Sequence, residues 1–142
     1  MTASYVLGID FGLKYIGLAV GQTITNSANG LTTLKAKNGV PDWHQLIALI
    51  EQYKPATLVV GLPLNMDGTE SPMSERARSF AHHLEHALEQ SGLAQDQINI
   101  TLIDERLSSW QANGETKRLP KERDNHEQAA CLIAETWMNE QP

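Results

Sequence analysis

Ser4 to Gly21 reads SYVLGIDFGLKYIGLAVG, two apolar runs on either side of Asp10-Phe11-Gly12. Val6, Leu7 and Ile9 mark a buried strand that ends in an acid. Tyr15 to Gly21 marks a second strand, folded back on the first as a hairpin. Gly12 supports the tight turn between them. A third strand is expected near Asn29 to Leu34, after the polar Thr25-Asn26-Ser27 stretch.

Downstream the pattern changes to alternating helix and strand. Pro41-Asp42 opens a helix, since proline suits the first turn, and Trp43, Leu46, Ile47, Ile50 and Tyr53 recur at helical spacing before Pro55. Thr57 to Val60 is a short apolar strand that runs into the polar loop Gly61 to Pro72. A second helix is expected from about Ser74 to Gly92, without a full capping box because Ala77 stands where Glu or Gln would complete it. Ile98 to Ile103 is the next strand, followed by Asp104-Glu105, and a last helix runs from about Asn125 to Asn139. The alternation implies parallel strands and an α/β fold. The leading hairpin and third strand add an antiparallel portion, giving a mixed sheet.

Length and charge narrow the class. The chain has 142 residues, 41% of them hydrophobic, which fits one domain over residues 1–142. The single Cys131 excludes an internal disulfide framework and a multi-cysteine zinc site. No apolar run reaches a membrane span, and the N-terminus lacks the basic start of a signal peptide, so the cytoplasm is the expected location. A net charge of −6 argues against coating nucleic acid by bulk charge. It leaves room for an enzyme that gathers carboxylates around a metal and keeps basic residues in patches.

The chemistry-bearing residues cluster at strand ends. Asp10 follows one apolar strand and Asp104-Glu105 another, and sites in open α/β sheets form at the carboxyl ends of strands. Clustered carboxylates are unfavourable without a cation, and Mg²⁺ or Mn²⁺ suits oxygen ligands. The plain alternative for each acid is a solvated loop or a helix cap. Gly8 to Gly17 matches neither a Walker loop nor G-x-G-x-x-G, which removes the dinucleotide-binding reading. Lys14, Asn65, Arg76, Arg78 and Arg106 are the candidate substrate-binding residues. The basic run Lys117 to Arg123 could hold a phosphate backbone or be a solvated loop. On the last helix His126 shares a face with Ala130, Ile133 and Trp137, whereas Asp124 falls near or before the helix start, where an acid serves as a cap.

Three stretches resemble the YqgF/RuvX family of RNase H-like nucleases: GIDFGLKYIGLAVGQ (Gly8 to Gln22), VVGLPLNMDGTESPMSERARSFA (Val59 to Ala81) and DERLSSWQA (Asp104 to Ala112). The resemblance implies an RNase H-like fold, with a five-stranded mixed sheet in the order 3-2-1-4-5 and helices on both faces. It implies a Mg²⁺- or Mn²⁺-dependent nuclease with Asp10 and Glu105, with Asp104 beside it, as catalytic and metal-binding acids. The third family acid opens the last helix. Here His126 stands at that place, with Asp124 two residues earlier, so His126 is the expected third ligand. The implied substrate is structured RNA at the 5′ end of pre-16S rRNA. Branched DNA of the Holliday-junction type is the alternative, and a catalytically weakened nucleic-acid-binding module is a further one. A monomer or a homodimer is compatible with either substrate. Leu13 departs from the small hydroxyl residue usual in the family's first turn.

Overall fold

The computed structural model describes residues 4–93, 98–106 and 122–141, with the backbone alone for 106 and 122–125. Six strands and three helices follow in the order β1 (Tyr5–Asp10), β2 (Tyr15–Gln22), β3 (Ser27–Lys37), β4 (Val40–Pro41), α1 (Trp43–Tyr53), β5 (Thr57–Leu64), α2 (Pro72–Ser91), β6 (Asn99–Arg106) and α3 (Glu122–Glu140). The strands form one sheet in the order β4-β3-β2-β1-β5-β6. β1 pairs antiparallel with β2 and parallel with β5, and β5 pairs parallel with β6. This is the expected mixed order with one strand added. The extra two-residue β4 pairs Pro41 with Ala36 at the sheet edge, where a missing N–H costs no ladder bond.

Local chemistry moved several boundaries. Pro41 belongs to that edge strand rather than to the first turn of α1. Asp42 caps the helix instead, accepting from His44 N at 3.0 Å, and Lys54 ends it in the left-handed region at φ 47°. The second helix begins at Pro72, earlier than the sequence suggested. Ser71 is its cap, and its Oγ accepts from Ser74 N at 3.3 Å while Ser71 N donates to Ser74 Oγ at 2.8 Å. A serine therefore completes the reciprocal box that Ala77 seemed to deny. β5 extends through Leu64, so the loop expected from Gly61 starts four residues later. β6 does not stop before its acids but carries Asp104 and Glu105 inside the strand. α3 begins at Glu122, which puts Asp124 within the helix and not at a cap.

Strand alternation divides the core between the two faces. Leu7, Ile9, Ile16, Leu18, Leu58 and Val60 pack under α1 and α2 with Leu46, Ile50, Phe80 and Leu84. Val6, Val59 and Ile103 face α3 through Ile133, Ala134 and Met138. β5 lies between two parallel neighbours, and its residues from Thr57 to Leu62 are all buried.

The α3 face is paved with glycine. A Cβ on Gly8 would run into the Ala130 carbonyl and approach Ala134 Cβ to 3.0 Å. A Cβ on Gly17 would strike the backbone of His126, and one on Gly21 would sit 2.7 Å from Met138 Cε. None of these three glycines has a positive φ. They serve the approach of a helix, not a turn. Gly12 belongs with them: its Cβ would meet the Tyr15 carbonyl and come within 3.1 Å of His126 Cε1.

Gly8→Ala is expected to destabilise the protein by about 1–3 kcal/mol, the usual cost of overpacking, because backbone atoms of α3 cannot swing aside. Gly92→Ala, strained at φ 86° but with nothing within 4 Å, is expected to cost about 1 kcal/mol. Urea unfolding of the two variants at neutral pH reads the difference.

Candidate active site

β1, β5 and β6 run parallel, so Asp10, Leu64 and Arg106 finish at the same edge of the sheet. Asp10 turns toward α3. Its Oδ2 lies 2.7 Å from His126 Nδ1, and the two side chains are 19% and 18% exposed. Helix phase brings the ring there, because His126 begins the stripe that buries Ala130, Ile133 and Ala134 against the sheet. The Tyr15 ring borders the imidazole, with centroids 5.9 Å apart.

Glu105 reaches the same face from two strands away. Register places Ile9 beside Val60, so Asp10 adjoins Gly61, and Gly61 pairs with Ile103. A Cβ on Gly61 would stand 3.0 Å from Glu105 Oε1 and 2.5 Å from Ile133 Cδ1. Glycine thus leaves room for the glutamate to lie over β5, one strand spacing of about 4.8 Å from the strand of Asp10. Asp104 does not join them. Its neighbours in the strand alternate across the sheet, so it faces the α2 side, where its charge acts on Arg78. Asp104 was expected in the metal set, and its side chain lies on the opposite face of the sheet from Asp10 and Glu105. Among the described residues, no group of three or more His, Cys, Asp or Glu side chains is arranged to hold a metal ion.

Burial pushes the Asp10 carboxyl above its ordinary value, against the hydrogen bond and charge of His126, which pull it down. Burial is the larger effect, so the Asp10 anion is under-compensated by its protein surroundings.

The candidate substrate residues lie along the same edge but differ in availability. Lys14 is exposed in the β1–β2 turn. Asn65 builds its own loop, donating to Thr69 Oγ1 at 3.0 Å. Asp67 Oδ1 accepts from Thr69 N at 3.0 Å, and Gly68 N donates to the Asn65 carbonyl at 2.9 Å. Arg78 is forked onto Glu70, with Nη2 to Oε2 at 2.6 Å and Nε to Oε1 at 3.2 Å. That pairing holds the Glu70 carboxyl below the ordinary range. Arg76 Nη1 donates to Asn38 Oδ1 at 3.3 Å. The side chains of Arg106 and Asp124 and the basic run at 117–123 lie outside the described residues. The sequence reading missed Tyr15, Gly61 and Glu70. Only Gly61 left a signal, a glycine within an otherwise bulky apolar strand.

The sequence profile of the RuvX family, described as Holliday junction resolvase, matches residues 4–140. The chain belongs to the RuvX family. Among its relatives, proteins of Nitrosococcus oceani and Coxiella burnetii are each 46% identical, covering 96% and 95% of this chain and 87% and 92% of their own. A Pseudomonas savastanoi relative is 43% identical over 96% of this chain and 92% of its own. All three carry the name "Putative pre-16S rRNA nuclease". Among solved structures, Thermus thermophilus RuvC in complex with a Holliday junction substrate matches with a TM-score of 0.57 at 16% identity, covering 94% of this chain and 91% of that one. The yeast mitochondrial Holliday junction resolvase Ydc2 gives 0.52 at 15% identity, over 94% and 78%. These likenesses show that this RuvX chain has the RuvC-like, RNase H-like fold.

The raised Asp10 value fixes a sign for stability. The folded state holds this proton more tightly than the unfolded chain does. Stability is therefore highest below the unfolded value and falls as pH rises toward the folded one. Asp10→Asn is expected to raise the melting temperature of metal-free protein at neutral pH by a few degrees. The gain should vanish at acid pH, where the native Asp10 is itself neutral. A calorimetric pH series on both proteins measures it.

Proposed function

We propose that the protein is a divalent-metal-dependent nuclease that hydrolyses phosphodiester bonds in structured nucleic acid, with the 5′ end of pre-16S rRNA as its substrate. The observation that carries this reading is that a buried, under-compensated Asp10 and Glu105, which lies over Gly61, share the α3 face at the carboxyl edge of the sheet. The curated relatives named for pre-16S rRNA support the RNA substrate, at 43–46% identity over nearly the whole chain. The resolvase description of the family and the fold of RuvC support branched DNA as the second reading.

The donor types at this edge suit a hard cation, although among the described residues they are not drawn together as a set of three ligands. Asp10 and Glu105 supply carboxylate oxygens, and His126 supplies an imidazole beside them, a donor set that Mg²⁺ or Mn²⁺ accepts. A cation there would restore the charge balance that burial denies Asp10. When bound it activates a water and stabilises the leaving oxygen. Asp10 and Glu105 would hold it from two strands. His126 fixes the Asp10 carboxylate through Nδ1 and, where the pair exchanges partners, stands ready as a third ligand. It must then be neutral, because only an unprotonated imidazole nitrogen binds a metal ion. Tyr15 limits the swing of the imidazole. Lys14 and Arg76 offer charge to phosphates along the edge. Arg78 must first leave Glu70 to do so.

No helix among the described residues is long and apolar enough to cross a membrane; a role in processing ribosomal RNA precursors supports a cytoplasmic location. It acts there as a monomer or a homodimer, and a two-fold dimer would suit a symmetrical junction.

A cleavage assay in Mg²⁺ or Mn²⁺ tests the reading with a precursor-rRNA fragment, a four-way DNA junction and linear controls. The precursor fragment is expected to be cut. Asp10→Asn is expected to lower the rate by more than the roughly 10–100-fold that loss of an outer-shell partner costs. Preferential cutting of the junction would favour branched DNA, and no cutting of any substrate would sink the nuclease reading.

A further inference from the structure

The strand end that carries Asp10 has two faces. Asp10 turns toward α3, and Phe11, the next residue, turns the other way. There its ring lines a cavity of about 530 Å³ between α1, α2 and the turn joining β3 to β4. The walls are aromatic. Trp43 stacks on Phe80 with centroids 5.7 Å apart and planes 17° apart, and Phe11 lies 5.2 Å from Phe80. The rim is stiff. Asn38 and Gly39 both adopt the left-handed region, at φ 55° and 85°, and a Cβ on Gly39 would stand 3.0 Å from Phe11 Cζ.

Arg76 is held at this rim by its hydrogen bond to Asn38 Oδ1. Among the described residues it has no ion-pair partner, whereas its neighbour Arg78 is neutralised by Glu70. In a chain of net charge −6, an unneutralised guanidinium held beside an aromatic cavity points to an anionic ligand with a flat ring. Guanidinium groups match phosphate oxygens in bidentate fashion, and every nucleobase has a π-face that stacks on aromatic side chains. The volume lies within the usual range for small-molecule sites. The exposed Glu75 also borders the cavity, and its carboxylate disfavours negative charge on its own side.

We infer that this cavity receives one unstacked nucleobase of the nucleic-acid substrate, against the partly exposed Trp43 and over the buried Phe11 and Phe80, with its phosphate on Arg76. The inference rests on the nuclease reading above for its choice of ligand. Phe11 is the chain neighbour of Asp10, so a strand draped over the end of β1 passes both the carboxylates and the cavity. The cavity acts as an anchor that sets which nucleotide lies at Asp10.

The test measures binding of a fluorescent 5′-phosphorylated single-stranded RNA by anisotropy in EDTA, where no cation is present and nothing is cut. Ser79→Tyr fills the cavity from an exposed position on α2, and Arg76→Gln removes the guanidinium charge. Each is expected to weaken binding about tenfold, the scale of one base stack or one charged contact. An abasic nucleotide scanned along the strand is expected to weaken wild-type binding at one position and to leave Ser79→Tyr unaffected at that position. Wild-type affinity in both variants, or no sensitive position in the scan, would overturn the inference and leave a protein side chain as the better occupant. If Ser79→Tyr does not fold, Arg76→Gln and the wild-type abasic scan decide alone, since Arg76 is exposed. Asp10→Asn should keep the abasic signature. A wild type that cuts nothing in Mg²⁺ or Mn²⁺ yet shows that signature would end the nuclease reading while supporting the cavity.

Discussion

Everything at this strand end depends on how closely α3 lies on the sheet. Helices usually stand off a sheet by the thickness of two layers of side chains. Here Gly8, Gly17 and Gly21 remove one of those layers, and backbone atoms of Ala130 and His126 occupy the space. The close approach lets a short imidazole reach Asp10 at 2.7 Å. The same approach brings Ile133 over Gly61, where Glu105 also lies. The helix is anchored at the far side as well: Glu127 accepts from Thr33 Oγ1 at 3.0 Å, and Glu135 accepts from Ala28 N at 3.1 Å. An added methyl group on the floor would shift the whole helix, and with it the site.

Much of this was legible in the chain. The alternation around Asp10 and the apolar run at Thr57 specify strands through burial, and the hairpin and mixed order follow from them. Helix phase alone carried His126 to the sheet face, because Ala130 and Ile133 leave the helix no other way to bury its stripe. Other features were not legible, for identifiable reasons. Whether a strand stops before or continues through Asp104-Glu105 depends on its pairing with β5, and that choice decides which acid faces which side. Nothing in the local sequence marks Gly8, Gly17 and Gly21 as spaces, because their occupants come from more than a hundred residues away. Ser71 was hidden as a cap because its partner at the third helical position is a serine rather than a glutamate.

The arrangement separates two kinds of chemistry across one thin layer. On the α3 side stand carboxylates and an imidazole, suited to a cation and a scissile phosphate. On the α1–α2 side stand aromatic rings and an unneutralised arginine, suited to holding a base. Asp10 and Phe11 are consecutive, and strand alternation alone sends them to opposite sides. The exposed Arg78–Glu70 fork and the self-bonded Asn65 loop lie along the same edge.

Asp10 and Glu105, and not Asp104, share the face on which the cation is proposed to bind. Mn²⁺ binding followed by electron paramagnetic resonance tests this most directly, with wild type, Asp10→Asn, Glu105→Gln and Asp104→Asn compared at one pH. The account predicts that Asp10→Asn and Glu105→Gln each abolish the bound signal, while Asp104→Asn binds Mn²⁺ as wild type does. Loss of binding in Asp104→Asn with retention in Glu105→Gln would contradict it.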